Sequence, residues 1–213
     1  MLFEHTKADI NFILENDPAA RSKVEVFLLY PSVHCLMMYR VSHFFYKKKR
    51  FFIARAISQL ARFFTGIEIH PGATIGMGTL IDHGSGVVIG ETSIIGDRVT
   101  IYQGATIGAT GNEKEFKRHP TLGNDIVVGS GAKILGPVNI GNHCKIGANS
   151  VVLSDMPEYS TAVGIPARPV KKDGVTLPKR KETMTLEEYE IMKERMLQME
   201  EEIRQLKEKL NKQ

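Results

Sequence analysis

One large aliphatic residue returns every six positions between Ile69 and Val152, and no other feature limits the fold of this chain as much. It recurs at Ile69, Ile75 and Ile81, again at Ile89, Ile95, Ile101 and Ile107, and again at Leu122, Val128, Ile134, Ile140, Ile146 and Val152. Neither the helical nor the strand period gives such spacing. Self-similarity at a short fixed period marks a solenoid, in which each unit buries its side chain against the coils above and below. Two residues before the aliphatic stands something mostly small or apolar, such as Ala73, Val99, Ala105, Ala132, Val138 and Cys144. The residue after it is glycine at 76, 90, 96, 108, 123, 129, 141 and 147, read here as freedom for the backbone at a corner. Six residues per strand and turn make a triangular prism with three faces per coil. The thirteen positions then predict a parallel β-helix of a little over four coils.

The period breaks twice, between Ile81 and Ile89 and between Ile107 and Leu122. Residues that interrupt a solenoid are extruded as loops, and loops on a rigid scaffold concentrate function. The first break, "LIDHGSGVVIG", presents Asp82, His83 and Gly84; the second, "ATGNEKEFKRHPT", carries Arg118 and His119. Two of the seven histidines of the chain therefore stand at its two irregularities. Acyl transfer to an alcohol needs a general base of near-neutral pKa, and histidine, at about 6.5, has one. A carboxylate should fix its tautomer and stabilise the imidazolium. Asp82, Glu68 and Glu91 are the candidates near the first loop, while His70 and His143 keep to the regular beat and read as structural.

Around the array the periodicity changes. Residues 1–62 place apolar side chains at three- and four-residue spacings, interrupted by Pro18 and Pro31, and predict a helical N-terminal region. The β-helix is expected over 63–172 and a polar linker over 173–185. In 186–213, Tyr189, Met192, Met196, Met199, Ile203, Leu206 and Leu210 alternate steps of three and four, the seam of a coiled-coil helix. The fold class expected is mainly β with helical ends.

The remaining composition narrows function by exclusion. No apolar run approaches the ~20 residues of a membrane span, and "MLFEHTKADINF" lacks the apolar core of a signal peptide, so a cytoplasmic location is expected. Cys35 and Cys144 have no CxxC partner and read as packing residues. The net charge is +4, but its clusters "KKKR" and "KRK" are not interleaved with stacking aromatics, so no nucleic acid is expected as a partner.

Longer stretches carry a resemblance: "NDPAARS" with Asp17, "IHPGATIG", "DHGSGVVIGET", "GATGNEKEFKRHP", "GAKILGPVNIG", "KIGANSVV" and "GIPARPV". The hexapeptides alone point to the hexapeptide-repeat acyltransferases; "DPA", "DHG" with "GVVIGET", and "KRHP" together make the chain similar to the serine O-acetyltransferase family over about residues 7–172. The resemblance implies a left-handed β-helix, an exception to the usual crossover hand. It also implies a homotrimer with sites between neighbouring prisms. The reaction implied is acetyl transfer from acetyl-CoA to L-serine, the first step of cysteine biosynthesis, with L-cysteine as inhibitor and no metal. His83 becomes the general base, with Glu68 as its paired carboxylate where many members have the shorter Asp. His119 joins these catalytic groups and, with Asp17, Asp82 and Arg118, surrounds the amino acid. Arg118 suits its carboxylate and the two aspartates its ammonium. Glu91 matches a further active-site acid. Acetyl-CoA is expected along Thr110, Gly131, Ala132, Lys145 and Ala148. Relatives that dock into O-acetylserine sulfhydrylase end in Ile, and this chain ends in Gln213, so no such complex is expected through the terminus.

Two other enzymes compete. A hexapeptide acetyltransferase for a sugar or xenobiotic hydroxyl needs the histidine loop but not Asp17 and Arg118. A β-helix carbonic anhydrase needs three histidines on zinc, and the position where the third belongs, five residues past His119, is Asn124.

Overall fold

The computed structural model describes residues 2–111, 115–178 and 186–210, which fall into two units, 1–177 and 178–213. Each of the thirteen aliphatic positions lies in its own short strand, β1 to β13 in chain order, and all thirteen side chains are buried. The strands stack into three faces. Face one holds β1 (Glu68–Ile69), β4 (Val88–Ile89), β7 (Thr106–Gly108), β10 (Lys133–Leu135) and β13 (Val151–Val152). Face two holds β2 (Thr74–Ile75), β5 (Ile94–Ile95), β8 (Thr121–Leu122) and β11 (Asn139–Ile140). Face three holds β3 (Leu80–Asp82), β6 (Thr100–Tyr102), β9 (Val127–Val128) and β12 (Lys145–Ile146).

Every pairing among these strands is parallel and in phase with the sequence repeat. Ile69 stands beside Ile89, Ile89 beside Ile107, Ile107 beside Ile134, and Ile134 beside Val152. The ladder runs straight past both sequence breaks, so the extra residues lie outside the coil. Stacked identical positions put aliphatic on aliphatic down the prism axis, each buried side chain contributing roughly 1.5–3 kcal/mol. The chain then leaves the repeat: β14 (Ser160–Gly164) pairs parallel to β12, and β15 (Ala167–Lys172) and β16 (Val175–Thr176) fold back antiparallel. Strand pairing thus reaches Thr176, inside the stretch expected as linker; residues 179–185 lie outside the described residues.

The glycine after each aliphatic corrects one expectation. At seven of the eight glycines a Cβ would meet another atom within 3.0 Å, and none of the eight has a positive φ, so glycine stands there for space and not for backbone freedom. A Cβ on Gly76 would run into the backbone of Gly96 in the next coil, and one on Gly90 into the ring of His119. The left-handed conformations fall later in the turns, at Gly104 (φ 67°) and Gly131 (φ 68°) on the edge between faces three and one. On the edge between faces two and three they fall on Arg98, Asp125 and His143. There the coils are also tied by a side-chain ladder: the Met77 N–H donates to Asp97 Oδ1 (2.7 Å), the Asp97 N–H to Asn124 Oδ1 (2.8 Å), and the Asn124 N–H to Asn142 Oδ1 (2.8 Å). Asn124 is therefore a rung of this ladder.

Four helices cover the first coil: α1 (Leu2–Asn16), α2 (Lys23–Leu29), α3 (Pro31–Lys47) and α4 (Phe51–Thr65). Pro31 opens α3 at its first position, where its missing N–H costs nothing. Gly66, left-handed at φ 71°, closes α4, so the helical region runs three residues past the expected boundary at 62. The helices dock through polar anchors as well as apolar contact. The Ile81 N–H donates to Ser32 Oγ (2.9 Å), Tyr39 donates to the Ala73 carbonyl (2.6 Å), and Ser58 donates to the Ile69 carbonyl (2.7 Å). Cys35 and Cys144 are buried, and burial pushes the Cys35 thiol up to about 12. In the second unit, α5 (Leu186–Leu210) carries the expected seam, and Tyr189, Met192, Met196, Met199, Ile203 and Leu206 are exposed in the single chain. Among the described residues no helix is long and apolar enough to cross a membrane.

Candidate active site

The first break leaves the prism at the edge between faces three and one. β3 ends at Asp82, and His83 turns out of the coil in a left-handed conformation (φ 51°), an arrangement that holds its side chain 81% exposed. Asp82 Oδ1 stands 3.9 Å from His83 Nε2. Helices bring two more groups here. Asp17, just past α1, accepts the Ala19 N–H on Oδ1 (2.8 Å) and the Tyr30 hydroxyl on Oδ2 (2.7 Å). Burial and the bond to Asp17 push the Tyr30 hydroxyl up to about 12, and Asp82 adds to the effect, so Tyr30 lies in the field of both aspartates. Glu68 Oε2 is 3.1 Å from Arg62.

The second break leaves the prism at the other margin of face one, the edge between faces one and two. Glu91, in the turn after β4, is gripped from two sides: Tyr46 donates to Oε1 (2.8 Å) and Arg118 to Oε2 (2.7 Å). Next to it Thr92 holds the loop. Its N–H reaches His119 Nδ1 (3.2 Å), its Oγ1 is 2.8 Å from the same nitrogen, and Oγ1 accepts the N–H groups of Arg118 (3.1 Å) and His119 (3.2 Å). Lys117 folds inward and donates to the carbonyls of Thr92 (2.8 Å), His119 and Pro120 (3.2 Å). His119 is buried, and burial with the neighbouring Arg118 pulls its pKa below the usual histidine range. His70, read as structural, lies edge-on against Tyr46 at 5.8 Å and accepts the Gly72 N–H on Nδ1 (3.0 Å).

Within one chain the expected residues therefore form two groups. Asp17, Asp82 and His83 share one edge of the prism, and Gly131, Ala132 and Ala148 occupy turns of that edge higher in the stack. Glu91, Arg118, His119 and Thr110 belong to the next edge. Lys145 lies on face three, beside a cavity of about 480 Å³ that it lines with His143, Tyr159, Thr161 and Lys171. Tyr30, Tyr46, Thr92 and Lys117 were not marked by sequence reasoning. Thr92 and Lys117 stood in the "GET" and "KRHP" stretches and Tyr30 followed Asp17, while Tyr46 had no signal in the sequence.

A three-faced parallel β-helix with loops extruded at its edges is the architecture of a hexapeptide-repeat protein. The bacterial transferase hexapeptide family (six repeats) matches residues 119–154. The chain is 52% identical to a serine acetyltransferase of Bacillus licheniformis over 99% of its own length and 96% of that protein. It superposes on soybean serine acetyltransferase complexed with serine at a TM-score of 0.77, with 41% identity, covering 79% of this chain and 69% of that one. A serine acetyltransferase in complex with cysteine matches at 0.77 and 39%, covering 80% and 70%. The chain belongs to the serine acetyltransferase family.

Proposed function

We propose that this protein transfers the acetyl group of acetyl-CoA to the hydroxyl of L-serine, giving O-acetylserine and free CoA. The observation that carries the reading is the chemistry of the two edges: an exposed imidazole with aspartates on one, and a guanidinium with a second imidazole on the other. Together they supply what an amino-acid alcohol requires. Arg118 offers a fork for the carboxylate, Asp17 and Asp82 face the ammonium, and His83 takes the hydroxyl proton as oxygen attacks the thioester carbon. The tetrahedral intermediate then collapses with loss of the CoA sulfur, which takes the proton back from the imidazolium.

Face one separates the two groups, so the complete site is proposed to form where the His83 edge of one prism meets the Arg118 edge of the next, in a homotrimer. Acetyl-CoA is proposed to lie along the edge bearing Gly131, Ala132 and Ala148, with Thr110 from the facing loop. Lys145 and Lys171 would stand near its phosphates. Glu68 and Asp82 are the carboxylates available to orient His83. Asp82 is the nearer, and a fall in kcat in Glu68→Gln would assign the role to Glu68, whereas unchanged turnover would leave it to Asp82. The seam of α5 is proposed to zip three copies in parallel. Deleting residues 186–213 is then expected to loosen the assembly while leaving catalysis intact.

The deciding assay is CoA release with L-serine, D-serine and L-homoserine as acceptors, and preference for L-serine is expected. A preference for a sugar hydroxyl would overturn the reading. His83→Ala is expected to lower kcat by about 10²–10⁴, the usual loss of a general base, with the assembly intact. L-cysteine shares the amino-acid frame of serine and is expected to compete with it. Cysteine inhibition unchanged in Arg118→Ala, with serine affinity reduced, would place cysteine elsewhere.

A further inference from the structure

We propose that Thr92 is a positioning residue that locks His119 as the neutral Nε2–H tautomer and aims that N–H at the substrate. The substrate-facing part of this statement rests on the function proposed above; the lock itself rests on geometry alone.

The tautomer follows from donors and acceptors. A backbone N–H can only donate, so the Thr92 N–H, 3.2 Å from His119 Nδ1, requires that nitrogen to accept. The Thr92 hydroxyl agrees. Its oxygen already accepts two backbone N–H groups, from Arg118 and His119, so its proton is directed to Nδ1 at 2.8 Å. With Nδ1 accepting from two donors, the ring proton of neutral His119 resides on Nε2. Burial of the ring further favours the neutral form.

Orientation is fixed by the same residue and by its neighbour two positions back. The ring lies on Gly90, where a Cβ would overlap Cδ2 and Nε2. One threonine thus sets the backbone of residues 118 and 119, the proton of the ring and, through its carbonyl, the ammonium of Lys117. The Nε2–H is carried by this tautomer and by the imidazolium alike, so it is a donor in either protonation state. It suits a carboxylate or the oxygen of a tetrahedral intermediate, and it does not suit a general base. The two histidines of the site therefore divide the work: His83 accepts a proton, and His119 donates a hydrogen bond from Nε2.

The test is long-range proton–nitrogen NMR of the imidazoles in the ¹⁵N-labelled full chain, with His119 assigned from its loss in His119→Gln. At neutral pH the wild type is expected to show the Nε2–H pattern. Thr92→Ser, which keeps the hydroxyl, is expected to retain it. Thr92→Val removes the shorter of the two bonds to Nδ1 and leaves two N–H groups without their acceptor. It is expected to lose the pattern and to lower kcat/KM for serine about tenfold, the scale of a lost buried hydrogen bond, while KM for acetyl-CoA stays put. An Nδ1–H pattern in the wild type, or a Thr92→Val protein with an unchanged His119 spectrum, would overturn the proposal. A lost pattern with serine kinetics untouched would leave the lock standing and remove His119 from the substrate. If Thr92→Val does not fold, the wild-type and Thr92→Ser spectra still decide the tautomer.

Discussion

At the scale of single residues, the site depends on side chains packed where no other atom fits. Gly90→Ala sets a methyl group into the space of the His119 ring, while the residue keeps an ordinary backbone conformation. It is expected to cut serine turnover sharply with little change in assembly. The measurements are steady-state kinetics beside a melting curve, and normal kinetics would show that the ring can move freely. Protonation gives a second prediction. Burial lowers the pKa of both His70 and His119, so their folded values lie below the unfolded value of about 6.5. As pH falls through about 6.5, the unfolded chain binds protons that the folded chain refuses, and stability declines toward the lowered folded values; above that window the contribution is fully present. Tyr30 works at the other end. Its folded value is raised to about 12, so its contribution is intact below the ordinary tyrosine value of about 10 and is lost as pH climbs from there. A melting temperature that rises on acidification from pH 7 to 6 would contradict the first part.

At the scale of elements, the helices place Asp17 and Tyr30 beside the first turn by docking α1 and α3 on the lowest coil. One anchor is a buried ion pair: Asp9 Oδ1 accepts the N–H groups of Gly78 (3.0 Å) and Thr79 (3.1 Å), and Oδ2 lies 2.5 Å from Arg40. Burial pushes the Asp9 carboxyl up, against Arg40 and the two N–H groups. Arg40→Met leaves an uncompensated buried charge and is expected to cost about 3–5 kcal/mol, whereas the pair Asp9→Asn with Arg40→Met should cost less. Urea unfolding of the three proteins checks this, and equal losses would show that the charge is solvated. The strands were legible in the sequence because each of the thirteen buries one side chain at one fixed phase, and the loops were legible because they break that phase. Pro31 was legible as an interruption of the helical pattern, and it proves to open α3. What escaped was whatever depends on meeting in space: Tyr30 meets Asp17 through the packing of the helices, Tyr46 meets Glu91 through the docking of α3 on the coil, and Thr92 meets His119 through the coil itself, none with a periodic mark. The reason for the glycines escaped too, because crowding between coils is invisible in one coil. Glu68, expected to pair with His83, also meets Arg62 at the end of α4, a partner the sequence did not mark.

At the scale of the whole molecule, one prism carries His83 and Arg118 on opposite margins of face one. In the cyclic trimer proposed above, one edge would lie against the other at each interface, and the symmetry makes the sharing countable. A His83→Ala subunit has an intact Arg118 edge, and an Arg118→Ala subunit has an intact His83 edge. Either homotrimer is expected to be nearly inactive. In a mixed trimer of either composition, one of the three junctions joins an intact His83 edge to an intact Arg118 edge. Random assembly from equal amounts makes about three quarters of the trimers mixed, so co-expression of the two variants is expected to restore about one quarter of wild-type turnover. KM for serine in the restored fraction should equal that of the wild type, since the surviving sites are complete. If each site were built within one subunit, no junction would combine two intact halves and the mixture would stay as inactive as its parents. Mixing after separate folding, without subunit exchange, must also give no recovery, which separates assembly from any trace of contaminating wild type.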